Sequence, residues 1–320
     1  MTKSSPAIET HHLRKQFGDN IAVADLSISV ERGEIFGFLG PNGAGKTTSL
    51  KMLVGLISPT SGNGEVLGAP LRDLRTRGRI GFLPEHFRFH EWLTAVEFLT
   101  LHADLYHMPR EKIKGRVQEL LALVDLTEHA NRQLRTFSKG MLQRIGLAQA
   151  LLNDPGVVFL DEPTSGLDPI GRRLVRDITR DLSEKGTTVF LNSHFLSEVE
   201  VTCDRVAFIN DGVIVRIDSL EALMQDELRV SMRVRNLSAE AHKGLMQFCH
   251  DLHVEGEEIT FRLDSEDDLP LVNKFLVEQG VDVYTIHQTS IALEDLFLEI
   301  VGDSESEVAS DLQIVTKEER

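Results

Sequence analysis

The chain reads as an α/β protein wound around a mostly parallel sheet, with an antiparallel β segment first, a helical insertion in the middle and a small α+β region last. Three observations predict this. Short, nearly continuous apolar runs (Ile35–Leu39, Ile80–Leu83, Val157–Asp161) have the composition of strands covered on both faces, and they alternate with helical stretches. Between about residues 86 and 153 the pattern turns helical, rich in Leu, Ala, Glu and Lys from Glu91 onward. After about Ser219 the character changes again to short strands and helices. The expected divisions are a first domain over 1–219 with its helical subdomain at about 86–153, a small domain over 220–302, and a flexible acidic tail over 303–320.

Taken in order, 7–30 holds two β-like segments around the polar turn Gly18-Asp19-Asn20. Ile35–Leu39 is the first buried strand, followed by a Gly-rich loop and a helix from about Lys46 to Gly55. Residues 58–64 are dense in turn formers. Ile80–Leu83 is a strand stopped by Pro84. Strands return at Val157–Asp161, Thr187–Asn192 and Arg205–Asn210, and Asn210-Asp211-Gly212 turns the chain back into Val213–Ile217. Beyond that, Arg229–Arg235 (strand), Ala239–His250 (helix), Leu252–Glu255 and Ile259–Leu263 (strands), Leu269–Gln279 (helix) and Val281–His287 (strand) give the order βαββαβ, a split ferredoxin-like arrangement. Leu293, Leu296, Phe297, Ile300 and Val301 share one helical face. That face is expected to pack on the small sheet rather than form a dimer contact.

Composition limits the function classes. Of 320 residues, 41% are hydrophobic and 26% charged, enough to build a sizeable core. Acidic residues outnumber basic ones by 50 to 34, a net charge of −16, which argues against nucleic acid as a partner. Two distant cysteines, Cys203 and Cys249, support neither a disulfide framework nor a zinc site, as expected in a reducing cytosol. The N-terminal segment lacks the apolar region of a signal peptide, and no stretch approaches the ~20 apolar residues of a membrane span. The chain is therefore not expected to enter a membrane by itself.

The loop Gly40-Pro41-Asn42-Gly43-Ala44-Gly45-Lys46-Thr47 matches G-x-x-x-x-G-K-[ST] between a strand and a helix. This is the context of a P-loop NTPase core. Its glycines let backbone N–H groups approach phosphate oxygens, with Asn42, Gly43, Ala44, Gly45 and Thr48 completing the nucleotide cradle. Lys46 reaches the β and γ phosphates, and the Thr47 hydroxyl is a ligand for Mg²⁺. Asp161 and Glu162 end an apolar strand at the carboxyl edge, where open α/β sheets bind ligands. Asp161 can hold Mg²⁺ through water, and Glu162 is then placed to polarise the attacking water. Ser138 is a plausible cap for a helix running to about Leu152, and Gly140 in its first turn permits close approach. Bare N–H groups there would seat a γ-phosphate. Since that helix start lies far along the chain from the phosphate loop, the pattern suits a site that closes when two copies meet. His194, at the end of the strand Thr187–Asn192, can reach a γ-phosphate. Phe17 could stack on adenine, although an isolated aromatic belongs to the core by default.

Phosphate loop, Ser-x-Gly helix, Asp-Glu strand, Ser165-Gly166-Leu167-Asp168 and His194 together resemble the ATP-binding cassette (ABC) ATPases over about Ile8 to Ile217. The segment Ala292-Leu293-Glu294-Asp295-Leu296-Phe297 also resembles the end of ATP-binding subunits serving ABC-2-type exporters. The resemblance implies a homodimer that sandwiches two ATP molecules, each held by the phosphate loop of one copy and by Ser138 and Gly140 of the other. Asp168 would lie at the interface, Glu162 would act as general base, and His194 would sense the γ-phosphate. It further implies a separate membrane permease as partner and a cytoplasmic, peripheral location on the inner face of the cell membrane. Two departures mark a subgroup. Phe137-Ser138-Lys139-Gly140-Met141 stands for the usual Leu-Ser-Gly-Gly-Gln. Glu85 stands for the family's glutamine, its carboxylate still able to ligate Mg²⁺. A soluble, non-transport ABC ATPase is the alternative, disfavoured because the chain lacks a second cassette and long heptad arms. A regulatory module without turnover would predict loss of Lys46 or Glu162. A GTPase is disfavoured because Asn273-Lys274 is followed by Phe275-Leu276 rather than by the x-Asp of Asn-Lys-x-Asp.

Overall fold

The computed structural model describes residues 5–225, 228–263 and 265–290, together with Leu293, Glu294 and Phe297. The chain divides into two compact units, the first running to Ile217 and the second beginning at Asp218.

In the first unit, β1 (Ile8–Phe17) and β2 (Asn20–Leu26) form the expected hairpin, and β3 (Ser29–Val30) pairs with β1. The buried run β4 (Ile35–Leu39) leads into the phosphate loop and α1 (Lys46–Leu53). After β5 (Ser61–Val66), β6 (Ala69–Pro70) and the single turn α2 (Leu74–Arg77), β7 (Ile80–Leu83) returns to the sheet. The helical insertion holds α3 (Ala95–Leu105), α4 (Arg110–Leu123) and α5 (Lys139–Ala150), with two short 3₁₀ turns between α4 and α5. Its first helix starts later than the composition suggests. Thr94 sets the start with a capping box, accepting from the Glu97 N–H while the Glu97 carboxylate accepts from the Thr94 N–H at 2.8 Å. Then come β8 (Val157–Asp161), α6 (Pro169–Glu184), β9 (Thr188–Asn192), α7 (Leu196–Glu200), β10 (Arg205–Asn210) and β11 (Val213–Ser219).

These strands form one mixed sheet in the order β6-β5-β1-β2-β11-β10-β4-β9-β8-β7. The stretch β10-β4-β9-β8-β7 is parallel. The N-terminal antiparallel strands join it through a parallel contact of β2 with β11, so they extend the same sheet rather than form a detached layer. Because β4, β9 and β8 are neighbours and run in parallel, the ends of all three meet at one edge. Phe36 and Phe38 on β4 and Phe159 on β8 pack around Phe190 on β9, with ring centroids 5.3–5.7 Å apart. All four are fully buried, and each such side chain stabilises the fold by ~1.5–3 kcal/mol. This aromatic row ties together the strands that carry the loops described below.

In the second unit, α8 (Leu220–Gln225) precedes β12 (Leu228–Arg235), α9 (Ala239–Leu245), β13 (His250–Glu255), β14 (Glu258–Leu263), α10 (Leu269–Glu278) and β15 (Asp282–Ser290). The sheet order β13-β14-β12-β15, antiparallel throughout, is the predicted split βαββαβ pattern. The helix expected to reach His250 ends at Leu245 instead. His250 is already paired with Arg262 on β14, and the Cys249 thiol donates to the Leu245 carbonyl at 3.1 Å as the chain turns away. Apolar spacing continues past Leu245, but pairing with the sheet decides the conformation. Most of the predicted helix around Leu293–Val301, and the whole of the tail from 303 onward, lie outside the described residues.

Candidate functional site

The phosphate loop bends from β4 into α1 with Gly45 at φ +100°, a left-handed conformation that suits glycine. A Cβ on Gly45 would lie 2.4 Å from the Ala22 carbonyl oxygen, and one on Gly40 would lie 2.2 Å from that of Ile209. Both glycines are thus fixed by backbone from neighbouring segments, and Gly45 by its left-handed conformation as well. Lys46 Nζ, half-buried, donates to the Gly40 and Pro41 carbonyls at 2.7 and 2.9 Å. Burial pushes its pKa down, against the opposing pull of the Glu162, Asp161 and Glu85 carboxylates.

Asp161 ends β8 directly beside Asn192, which ends β9. The Asn192 side-chain amide donates to the Asp161 carboxylate. Burial raises the Asp161 pKa, and this hydrogen bond works in the opposite direction. Glu162 is only 6% exposed and takes a left-handed backbone, φ +54°, which redirects the chain out of the strand. Its backbone is held from three sides. The Glu162 N–H donates to the Asn192 carbonyl at 2.9 Å, while its own carbonyl accepts from Ser165 N–H and from the Gln143 side-chain amide, both at 3.1 Å. His194 Nδ1 lies 2.7 Å from Glu162 Oε2. Burial raises the Glu162 pKa, with His194 the main influence in the other direction.

These groups border one cleft of about 570 Å³, lined by Asn42, Gly43, Gly45, Lys46, Thr47, Thr48, Glu85, Glu162, Asn192 and His194, with Asn20–Ala22 on its outer wall. Ala44 is buried under the loop, and its carbonyl accepts from Gly212 N–H. Phe17 is 50% exposed at the end of β1, with Lys15 Nζ 4.8 Å from its ring centre. The default expectation of a core aromatic is therefore wrong for Phe17. Asn192 and Gln143 were not anticipated as site residues. The one available signal for Asn192 was its place two residues before His194, since its register with Asp161 appears only in the fold; no sequence signal marks Gln143.

Ser138 and Gly140 lie elsewhere. Ser138 caps α5, accepting from Met141 N–H at 3.2 Å, and Asp168 caps α6, accepting from Gly171 N–H at 2.8 Å. With Lys139, Met141, Arg144 and Leu167 they line a second recess of about 490 Å³ that shares no lining residue with the first. Gly140 has a reason within the chain that the sequence did not reveal, since a Cβ there would come within 3.2 Å of Leu167 Cδ2.

Residues 23–165 match the family model described as ABC transporter. A bacitracin transport ATP-binding protein of Bacillus licheniformis is 36% identical over 307 residues, covering 93% of this chain and 98% of that protein. The chain belongs to the ABC transporter ATP-binding proteins. Two further relatives place this ABC ATPase more closely. An uncharacterised ABC transporter ATP-binding protein of Nostoc is 47% identical over 233 residues, 70% of either chain. A Nod factor export ATP-binding protein of Bradyrhizobium diazoefficiens is 34% identical over 306 residues, 94% of this chain and 98% of that one. Among solved structures, the ATP-binding cassette MJ0796, as a dimer in a post-hydrolysis state with ADP and Pi, superposes with TM-score 0.62 at 27% identity, covering 67% of this chain and 98% of that one. ATP binding and hydrolysis are thus the activity of this family, and the expected fold is borne out.

Proposed function

We propose that this ABC ATPase works as a homodimer around two ATP molecules and powers a separate membrane permease of the export type. The observation that carries the reading is the separation of the two recesses. One holds the phosphate loop with Glu85, Glu162 and His194; the other holds Ser138, Gly140 and Asp168. The first turn of a helix such as α5 offers N–H groups suited to phosphate oxygens, yet its recess shares no lining residue with the cleft where Lys46 would hold ATP. A second copy supplies what one chain lacks. The bacitracin transport and Nod factor export roles named for two relatives support the transport role. Among the described residues no helix is long and apolar enough to cross a membrane; in the proposed complex another chain supplies the translocation path, and this one sits at the inner face of the cell membrane.

Within each site, Lys46 would exchange the Gly40 and Pro41 carbonyls for phosphate oxygens. Glu162, held by His194 and by its left-handed turn, would accept the proton of the attacking water. His194 would then contact the γ-phosphate with its other nitrogen. The side chains available for Mg²⁺ are all oxygen donors (Thr47, Asp161, Glu85), the hard set that this ion prefers. Among the described residues no cage of three or more His, Cys, Asp or Glu side chains forms. When bound, the ion would supply charge that neutralises the phosphates. Phe17 would flank the adenine from outside the cleft.

Mixing Lys46→Ala chains with Ser138→Ala chains tests the shared site. Some mixed dimers keep one intact composite site and should occlude ATP, whereas neither parent alone should. Absence of occlusion in the mixture refutes the two-chain site.

A further inference from the structure

We propose that Phe195 is a positioning residue that couples the two half-sites within one chain. It lies between His194 at the end of β9 and the Ser165–Asp168 loop that precedes α6. The His194 and Phe195 rings are 4.1 Å apart between centroids and inclined by 37°. Against the Phe195 ring lies the Arg172 guanidinium, with Cζ 4.5 Å from the ring centre. Arg172 Nε in turn donates to the Leu167 carbonyl at 3.3 Å. The side chain of Leu167 packs where a Cβ on Gly140 would intrude. A continuous stack therefore runs from Glu162 through His194, Phe195, Arg172 and Leu167 to the first turn of α5.

The chemistry of this stack depends on an aromatic ring at position 195. A guanidinium over a ring face is held by the ring quadrupole, which fixes direction as well as distance. The imidazole uses the same ring as a backstop while its Nδ1 meets Glu162. A leucine of comparable bulk would fill the space but offer neither contact. The inference rests on the dimer reading given above, in which His194 faces a chain's own nucleotide and the Ser165–Asp168 loop faces the partner's. Phe195 then lets a displacement of His194 be felt at Leu167, and the reverse.

The test uses the full-length protein and steady-state ATP hydrolysis. Phe195→Leu should lower kcat about tenfold, about 1.4 kcal/mol of barrier, with KM for ATP within about twofold of wild type. Phe195→Tyr, which keeps the π face, should stay within about twofold of wild-type kcat. Arg172→Met should lose activity to a similar degree, and the Phe195→Leu/Arg172→Met pair should be no worse than the weaker single variant, because both break one link. Wild-type kcat in Phe195→Leu, or losses that multiply in the pair, would overturn the coupling. If Phe195→Leu fails to fold, the Tyr and Met variants decide, since the proposal requires the first to be active and the second impaired. Glu162→Gln, run in parallel, separates the two levels. Normal hydrolysis in that variant removes the underlying site assignment, whereas a dead Glu162→Gln beside a normal Phe195→Leu removes only the coupling.

Discussion

Glu162→Gln should end turnover and, in the nucleotide-free protein, raise thermal stability. The Glu162 carboxylate is 6% exposed, and burial raises its pKa above the ordinary 4.5. A carboxyl group with a raised native pKa penalises the fold whenever it is ionised. The penalty is fully present above the native pKa and disappears as pH falls through 4.5, because both states are then protonated. Gln keeps shape and removes charge. Relieving strain of this kind at a functional site typically returns ~0.5–2 kcal/mol, and the His194 contact already offsets part of the cost, so about 1 kcal/mol is the expected gain. For a unit the size of the first one, that corresponds to a rise of ~2–4 °C. The left-handed backbone at position 162 is unchanged by the substitution and cancels from the comparison. Scanning calorimetry at pH 7.5, repeated in steps towards pH 4.5, reads both sign and pH dependence. A variant less stable than wild type at pH 7.5, or a difference that does not shrink on acidification, refutes this account of the site's electrostatics.

Other perturbations probe different parts of the molecule. Gly40→Ala places a Cβ 2.2 Å from the Ile209 carbonyl oxygen, forcing the phosphate loop to move by about 1 Å and lowering kcat/KM ~100-fold in an ATPase assay. Ser138→Ala removes the α5 cap, so it should cost ~1 kcal/mol in chemical denaturation as well as impairing ATP occlusion; Ser138→Asp should restore stability alone. Lys46→Met should abolish ATP binding in calorimetric titration yet raise Tm at neutral pH. The lowered Lys46 pKa penalises the charged form below that value, and the gain fades as pH climbs past 10.5. Burial pushes the Cys203 thiol well above its usual range and Cys249 up to about 11, so neither should react with a thiol reagent at pH 8 until the protein is denatured.

Much of this was legible because its signals are local. Ile35–Leu39 and Val157–Asp161 are apolar enough to declare buried strands, and Gly40–Thr47 states its chemistry in eight letters. What escaped the sequence depends on register and on distant packing. Nothing in the order of residues says that Asn192 lies beside Asp161, or that the Gln143 amide reaches the Glu162 carbonyl. Gly140 suggested room for a ligand, but nothing local showed that Leu167 lies beside it too. Frequency alone would put Phe17 in the core, against its reading as an adenine-stacking residue, and its place at the end of a hairpin leaves it half exposed. The helix ending at Leu245 shows the same limit, because strand pairing at His250 overrides a periodicity that continues to Cys249.

The separate placement of the two recesses has a consequence for gene dosage. In the proposed dimer each protomer contributes to both nucleotide sites, so one defective chain damages sites it does not own. With equal amounts of intact and defective protein, only about a quarter of randomly formed pairs are wholly intact. A chain that still dimerises but lacks Ser138 would therefore disable the site built on an intact partner's phosphate loop, acting as a poison rather than a simple loss. At low copy number, activity would follow the square of chain concentration, making output sensitive to modest changes in expression.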